Sequence, residues 1–250
     1  VESNTYTLHL PNEEMKGRII GKEGRNIRSL QDLTGVDIII DETPETVVLS
    51  SFDGVRREVA RLTLEKLIAD GRIHPASCEK AYESSKAEID DVMIAAAEEA
   101  LLEAKVTGVH PELVRLLGRL RFRTSYSQNV LDHLVECSHL AALMAVELGA
   151  SVEVARRAAL LHDVGKAVSH EVEGSHASVG ARLARRYDEP DAVTHAIEAH
   201  HNEIEPVTVE AVIVQSADAI SGARPGARGD SLEQYVTRLS DLEDIALRQE

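Results

Sequence analysis

Over the first 74 residues strand-like alternation and β-branched runs are interspersed with helical spacing, and beyond Pro75 the apolar positions recur at helical spacing alone. Thr5-Tyr6-Thr7-Leu8-His9-Leu10 alternates as a strand does, and Asn12 is placed to cap a helix from Glu13 to Ile20. Gly21-Lys22-Glu23-Gly24 breaks that helix. A second is predicted from Arg25 to Thr34, with Ile27, Leu30 and Leu33 on one face and Gly35 as its stop. The runs Val36 to Ile40 and Thr46 to Ser50 flank Asp41-Glu42-Thr43-Pro44, which predicts two strands and a turn. Asp53 to Gly71 is an amphipathic helix with Val55, Val59, Leu62, Leu67 and Ile68 on one side, giving the order βααββα.

Residues 77–106 are rich in Ala, Glu and Lys and predict one long exposed helix joining two domains. Further helices are predicted near 111–120, 126–148, 152–164, 175–188, 190–201, 208–221 and 231–248. Gly149, Gly165, Gly174, Pro190, Pro206 and Pro225-Gly226 punctuate them. The expected class is α+β: an N-terminal βααββα domain over 1–74, a helical linker over 75–108, and an all-α domain over 109–250. A chain of 250 residues is long enough for two cores.

Composition narrows the partners. No apolar run approaches the roughly 18 residues that a membrane helix needs, and no signal-peptide pattern is present. Cys78 and Cys137 form no CxxC pair, as expected of unpaired thiols in a reducing cytosol. The net charge of −16 repels nucleic acid from the molecule as a whole, so such a contact requires a local basic patch. Residues 1–74 are close to charge balance and hold that patch. Lys16, Arg18, Lys22, Arg25 and Arg28 surround the GxxG tetrad, whose glycines let a backbone approach closely and whose following helix offers N–H groups to phosphate. A plain elbow between two helices is the alternative. The stretch Ile19-Ile20-Gly21-Lys22-Glu23-Gly24-Arg25-Asn26-Ile27 resembles the KH domain over residues 4–72. That resemblance implies a clamp on single-stranded RNA through Gly21, Lys22, Glu23, Gly24, Arg25, Arg18 and Arg28.

Eight of the eleven histidines fall between positions 133 and 201. His133 lies among Val130, Leu134, Cys137 and Ala141, facing inward. His162-Asp163 closes the apolar run Ala158-Ala159-Leu160-Leu161, where an ionised Asp costs several kcal/mol unless paired or metal-bound. His176 follows a capping Ser175, His200-His201 closes another helix, and Asp218 interrupts an apolar one. Taken singly, each has an ordinary explanation as a core residue or a helix cap. One metal centre explains all seven. Mixed imidazole and carboxylate donors suit a borderline divalent ion, and seven are too many for one tetrahedral site, which suggests two ions and a bridging carboxylate. Of the others, His139 sits about 120° from His133 around its helix, and His170 and His195 are expected at the surface or behind the ligands. Arg224 and Arg228 form either a phosphate-binding pair or a basic turn. Arg115, Arg119, Arg121 and Arg123 form either an RNA track or a solvated face.

His162-Asp163-Val164-Gly165-Lys166 with these flanking residues resembles the HD-domain phosphohydrolase superfamily. The resemblance implies an all-helical fold, metal-assisted phosphoester hydrolysis, Asp163 as the metal bridge, and Lys166 as the group that holds a phosphate oxygen. The ions expected are two, drawn from manganese, magnesium, iron, nickel and zinc. The whole chain resembles the bacterial ribonuclease Y family through GRIIGKEGRNIR, DGRIHPA, GRLRFRTSYSQNVLDH, LLHDVGKA, HEVEGSH and ARPGAR in order, with Asn202 where that family mostly has glycine. This implies an endonuclease that cleaves single-stranded RNA and starts mRNA decay, self-associates as a homo-oligomer such as a dimer, and meets other decay proteins. Members carry a membrane anchor and a coiled coil ahead of the KH part, so the chain is expected to be a soluble cytoplasmic fragment of a protein held at the membrane. Two competing readings remain open: an HD hydrolase of nucleotides or cyclic dinucleotides, and a non-catalytic KH binding module. Intact candidate ligands disfavour the latter.

Overall fold

The computed structural model describes residues 4–125, 127–168 and 170–224; the helix expected over 231–248, with Pro225, Gly226 and Arg228, lies outside the described residues. The chain divides into two compact units between Ala96 and Ala97.

In the first unit the order is β1 (Thr5–His9), α1 (Glu14–Ile20), a 3-10 turn (Lys22–Gly24), α2 (Arg25–Thr34), β2 (Asp37–Ile39), β3 (Thr46–Ser50) and α3 (Gly54–Asp70). The βααββα reading therefore holds. β3 is the central strand of an antiparallel sheet of order β1-β3-β2, with Thr5 and Asp37 both opposite Ser50. Leu8, Ile38, Val47 and Leu49 of the sheet pack with Met15, Ile19, Leu30, Leu64 and Leu67 of the helices. Each such side chain contributes about 1.5–3 kcal/mol on burial. Local chemistry sets the helix ends. Asn12 Oδ1 accepts from Met15 N–H at 3.1 Å, and Asp53 Oδ1 accepts from Val55 and Arg56 N–H at 2.9 and 3.2 Å. Gly35 and Gly71 close α2 and α3 in left-handed conformations.

α4 (Pro75–Glu103) is a single long helix, as expected, and the unit boundary falls within it. It is not exposed all round. Cys78, Ser85, Ile89, Ala97 and Ala100 are buried and recur at helical spacing, a stripe of small residues that bulk composition reads as polar.

The second unit continues with α5 (Pro111–Arg119), α6 (Val130–Leu148), α7 (Val152–Leu161), α8 (His176–Arg186), α9 (Asp191–Ala199) and α10 (Val209–Ala223). Two boundaries differ by more than two residues from those expected. The helix expected from 126 begins at Val130, because Asn129 Oδ1 caps it by accepting from Leu131 and Asp132 N–H. Just before it, β4 (Thr124–Ser125) and β5 (Gln128–Asn129) pair as a short ladder, so this largely helical unit contains two two-residue strands. The helix expected to 164 stops at Leu161, and a 3-10 turn over Val164–Ala167 follows. Ser151, Ser175 and Thr208 cap α7, α8 and α10 through their hydroxyls.

Gly21 is the tightest point of the first unit. It has φ +72°, and a Cβ there would lie 2.6 Å from the Asn26 side chain, which is buried and donates to Arg18 and Ile73 carbonyls. Gly21→Ala should therefore destabilise this unit by about 1–3 kcal/mol. Urea denaturation checks this, and an unchanged midpoint would contradict it.

Candidate metal centre and nucleic-acid interface

Five helices and turns deliver the seven candidate ligands to one place. His133 projects from α6, His162 and Asp163 from the turn after α7, His176 from the start of α8, His200 and His201 from the end of α9, and Asp218 from α10. All except the fully buried His162 line a cleft of about 600 Å³ with Lys166, Asn202 and Gln215.

Asp163 is the centre, 1% exposed. Its Oδ2 lies 3.6 Å from His162 Nε2, 3.9 Å from His133 Nε2 and 2.6 Å from Lys166 Nζ. Its Oδ1 lies 3.2 Å from His176 Nε2 and 3.7 Å from His200 Nε2. Asp218 Oδ1 faces His133 Nε2 at 3.1 Å and His162 Nε2 at 3.7 Å. Three fully buried atoms, His162 Nε2, His200 Nε2 and Asp163 Oδ1, have no hydrogen-bond partner. Unsatisfied buried polar atoms are costly, and these three point into one another, so a divalent cation fits the donor set. His162, Asp163 and His200 offer donors within 4.8 Å of one another, as do His176, His200 and His201. A further such group is His133, His162 and Asp218 with Cys137.

The ring orientations agree. His162 Nδ1 and His200 Nδ1 meet the carbonyls of Ala159 and Ile197 at 2.7 and 2.6 Å, which places the proton on Nδ1 and leaves Nε2 as the donor nitrogen. Burial and then the His162 charge push His200 down to about 3. Burial and then His176 lower His201. For His162 burial acts downward, but the carboxylates of Asp163 and Asp218 outweigh it and the net direction is upward. Burial alone would raise both carboxyls. The His162 and Lys166 charges bring Asp163 well below the ordinary range, and His133 and His162 do the same for Asp218.

Other expectations fare differently. His139 pairs with Glu103 at 3.6 Å, outside the cleft, His195 accepts from Val207 N–H, and His170 lies 3.4 Å from Glu171. Arg224 pairs with Glu136 at 3.0 Å, while Arg228 lies outside the described residues. Arg119 approaches Glu171 and Arg123 donates to the Lys166 carbonyl, so half of that arginine run holds the fold. Asn202 has φ +58°, the conformation that favours glycine, and its side chain accepts from Gln215 at 2.7 Å. Sequence reasoning missed Ser221, Glu136 and Gln128, which stand behind His133, because nothing in their local pattern marks them. Cys137 was legible: it follows His133 by four residues, on the same helical face.

In the first unit Gly21, Glu23 and Gly24 all have positive φ, which turns the tetrad back on itself. Gly24 stands at the N-terminus of α2, where no side chain caps the first amides. Lys22, Arg25 and Arg28 are exposed around it. Arg18 is exposed too, paired with Glu14 and donating to Gly71 O. Lys16 leaves the basic cluster. It is buried, ion-paired with Glu13 at 2.9 Å and donating to Asp41 and Thr43 carbonyls.

Residues 5–65 match the KH domain family and residues 130–223 the HD domain family. The chain is 64% identical over 245 residues to a protein named Ribonuclease Y from Thermoanaerobacter pseudethanolicus, covering 98% of this chain and 48% of that one. Its identity to the Ribonuclease Y of Acidothermus cellulolyticus is 63%, covering 98% and 50%; for that of Alkaliphilus metalliredigens it is 60%, covering 98% and 52%. The chain thus spans about half the length of these relatives. No solved structure matches it.

Two predictions follow from the geometry. A Cβ on Gly165 would lie 2.0 Å from His176 O and 2.7 Å from Gly180 N, both backbone atoms. Gly165→Ala should cost about 1–3 kcal/mol or more in chemical denaturation and weaken metal uptake by shifting His176. Acid should also destabilise the metal-free protein. His200, held near 3 against an ordinary 6.5, binds fewer protons folded than unfolded between those values, so its contribution falls with pH across that window. His201 acts in the same sense, and the depressed Asp163 and Asp218 lose theirs only below the ordinary carboxylate range. His162 opposes them, since its contribution is present below 6.5 and lost as pH rises through its raised value; His200 and His201 together act against this one imidazole. Denaturation midpoints at pH 7 and 4.5 check this, and equal midpoints would contradict it.

Proposed function

We propose that this chain, which is 64% identical to a protein named Ribonuclease Y and matches the KH and HD domain families, is the KH–HD core of a metal-dependent endoribonuclease that cleaves single-stranded RNA and initiates mRNA decay. The observation that carries the reading is the buried carboxylate of Asp163, whose two oxygens face two different sets of histidines. His133, His162, Asp218 and Asp163 Oδ2 would hold one divalent ion. His176, His200, His201 and Asp163 Oδ1 would hold the second. Bound divalent ions supply Lewis acidity at phosphoryl oxygen and lower the pKa of water. In the hydrolysis water adds to phosphorus and gives up a proton, the P–O bond to the leaving nucleotide oxygen breaks, and that oxygen takes up a proton in its place.

The chain's own groups bind and orient. Lys166, at the cleft wall, keeps its ammonium against Asp163 Oδ2 and would bring that positive charge to a phosphate oxygen. In this reading Arg228, and Arg224 through guanidinium N–H groups other than the one on Glu136, would make a second phosphate contact. At the other unit the amides after Gly24, with Arg18, Lys22, Glu23, Arg25 and Arg28 around Gly21, would grip about four nucleotides of one strand. The division into a KH part (1–74), a helical linker (75–108) and a hydrolytic part (109–250) belongs to this proposal. So do self-association, contact with other decay proteins and work at the cytoplasmic face of the membrane, which rest on the family resemblance. No helix among the described residues is long and apolar enough to cross a membrane.

A hairpin RNA with a long unpaired tail, incubated with Mn and mapped at nucleotide resolution, tests the reading. Internal cuts in the tail are expected. His162→Ala with Asp163→Ala should abolish them. Gly24→Asp, which sets a carboxylate beside the Arg28 guanidinium, should weaken RNA binding and flatten its salt dependence. Cuts mainly in the stem, or stepwise removal of terminal nucleotides, would sink the endonuclease reading.

A further inference from the structure

His162 and His200 are aimed by their own backbone, each Nδ1 meeting the carbonyl three residues back. That device depends on a helix C-terminus, where the last carbonyls lack amide partners. His133 has no such carbonyl, because α6 continues for fifteen residues beyond it, to Leu148. Its Nδ1 instead lies 2.8 Å from Ser221 Oγ on α10. Ser221 Oγ donates to Glu136 Oε2 at 2.8 Å, Gln128 Nε2 reaches the same oxygen at 3.2 Å, and Arg224 Nη2 pairs with it at 3.0 Å.

The direction of this chain follows from the donor inventory. An ionised Glu136, held by Arg224, only accepts, so the Ser221 hydroxyl must spend its hydrogen there. Ser221 then accepts from His133 Nδ1–H. Nε2 is left as the lone-pair nitrogen, 3.1 Å from Asp218 Oδ1. Ser221 follows Asp218 by three residues on one helical face, so α10 supplies both a carboxylate and the group that aims the histidine opposite it. Cys137 Sγ, 3.6 Å from both ring nitrogens, is too weak a hydrogen-bonding group to set the tautomer.

We propose that Ser221 and Glu136 are positioning residues that fix the tautomer and ring orientation of His133 for a divalent cation, an inference that rests on the metal-centre reading above. It also assigns Arg224 to the neutralisation of Glu136.

The test is an Mn2+ titration of the chelator-stripped full chain, with free ion followed by electron paramagnetic resonance. Ser221→Ala and Glu136→Ala should weaken binding about 10–100-fold. Glu136→Gln, which keeps an acceptor for the Ser221 hydroxyl, should retain most of the affinity. Helical content and the unfolding midpoint of the metal-free variants should match those of the wild type. Wild-type affinity in both alanine variants overturns the proposal, as does Glu136→Gln performing no better than Glu136→Ala, or a loss that tracks metal-free unfolding. A wild-type chain that takes up no Mn2+ overturns the metal-centre reading itself, and this inference with it. Binding that is normal in the wild type and unchanged in the variants overturns this inference alone.

Discussion

A carboxylate 1% exposed at the end of an apolar helix is the constraint on which the second unit depends. Desolvating Asp163 costs several kcal/mol, and the cost is offset only by positive charge gathered round it. Lys166 supplies one such charge from the same turn, and four histidines from four places in the chain supply donor nitrogens within 4 Å. The helix ends of this unit serve that demand. α7 stops at Leu161 so that His162 and Asp163 can turn inward, and α9 stops at Ala199 so that His200 can.

Two explanations that compete in the sequence coexist in the structure. A histidine at a helix C-terminus can be read as a cap or as a ligand. The geometry of His162 and His200 suits both, each spending Nδ1 on a carbonyl of its own helix and presenting Nε2 to the cluster. The cap fixes which nitrogen carries the proton, and so leaves Nε2 as the nitrogen with the lone pair. His133, inside a helix, needs side chains from α10 and from its own next turn for the same result.

The first unit shows how far charge counting reaches. Five cations cluster in sequence around the tetrad, yet Lys16 turns inward to bind the Asp41 and Thr43 carbonyls. Arg18 stays exposed but is partly engaged by Glu14. The cations left on the surface of the loop are Lys22, Arg25 and Arg28, beside the uncapped start of α2. Basic character there is a property of three residues and a backbone turn rather than of the segment.

Periodicity was enough for the βααββα order and for most helices of the second unit, because each of those elements is set by its own apolar spacing and its own caps. Asn12, Asp53, Gly35 and Gly71 act within a few residues of themselves, and such signals survive in one dimension. The candidate site was legible for a different reason: buried Asp163 and half-buried Asp218 contradict their apolar surroundings, and a contradiction is visible in sequence. Tertiary structure alone decided the rest. It set which Asp163 oxygen faces which histidines, that Lys16 is buried, that α4 hides a stripe of small residues, and that Ser221 and Glu136 stand behind His133. These depend on groups up to 88 residues apart meeting at hydrogen-bond distance. No local pattern encodes such meetings, because only the packing of α6 against α10 brings the two positions together.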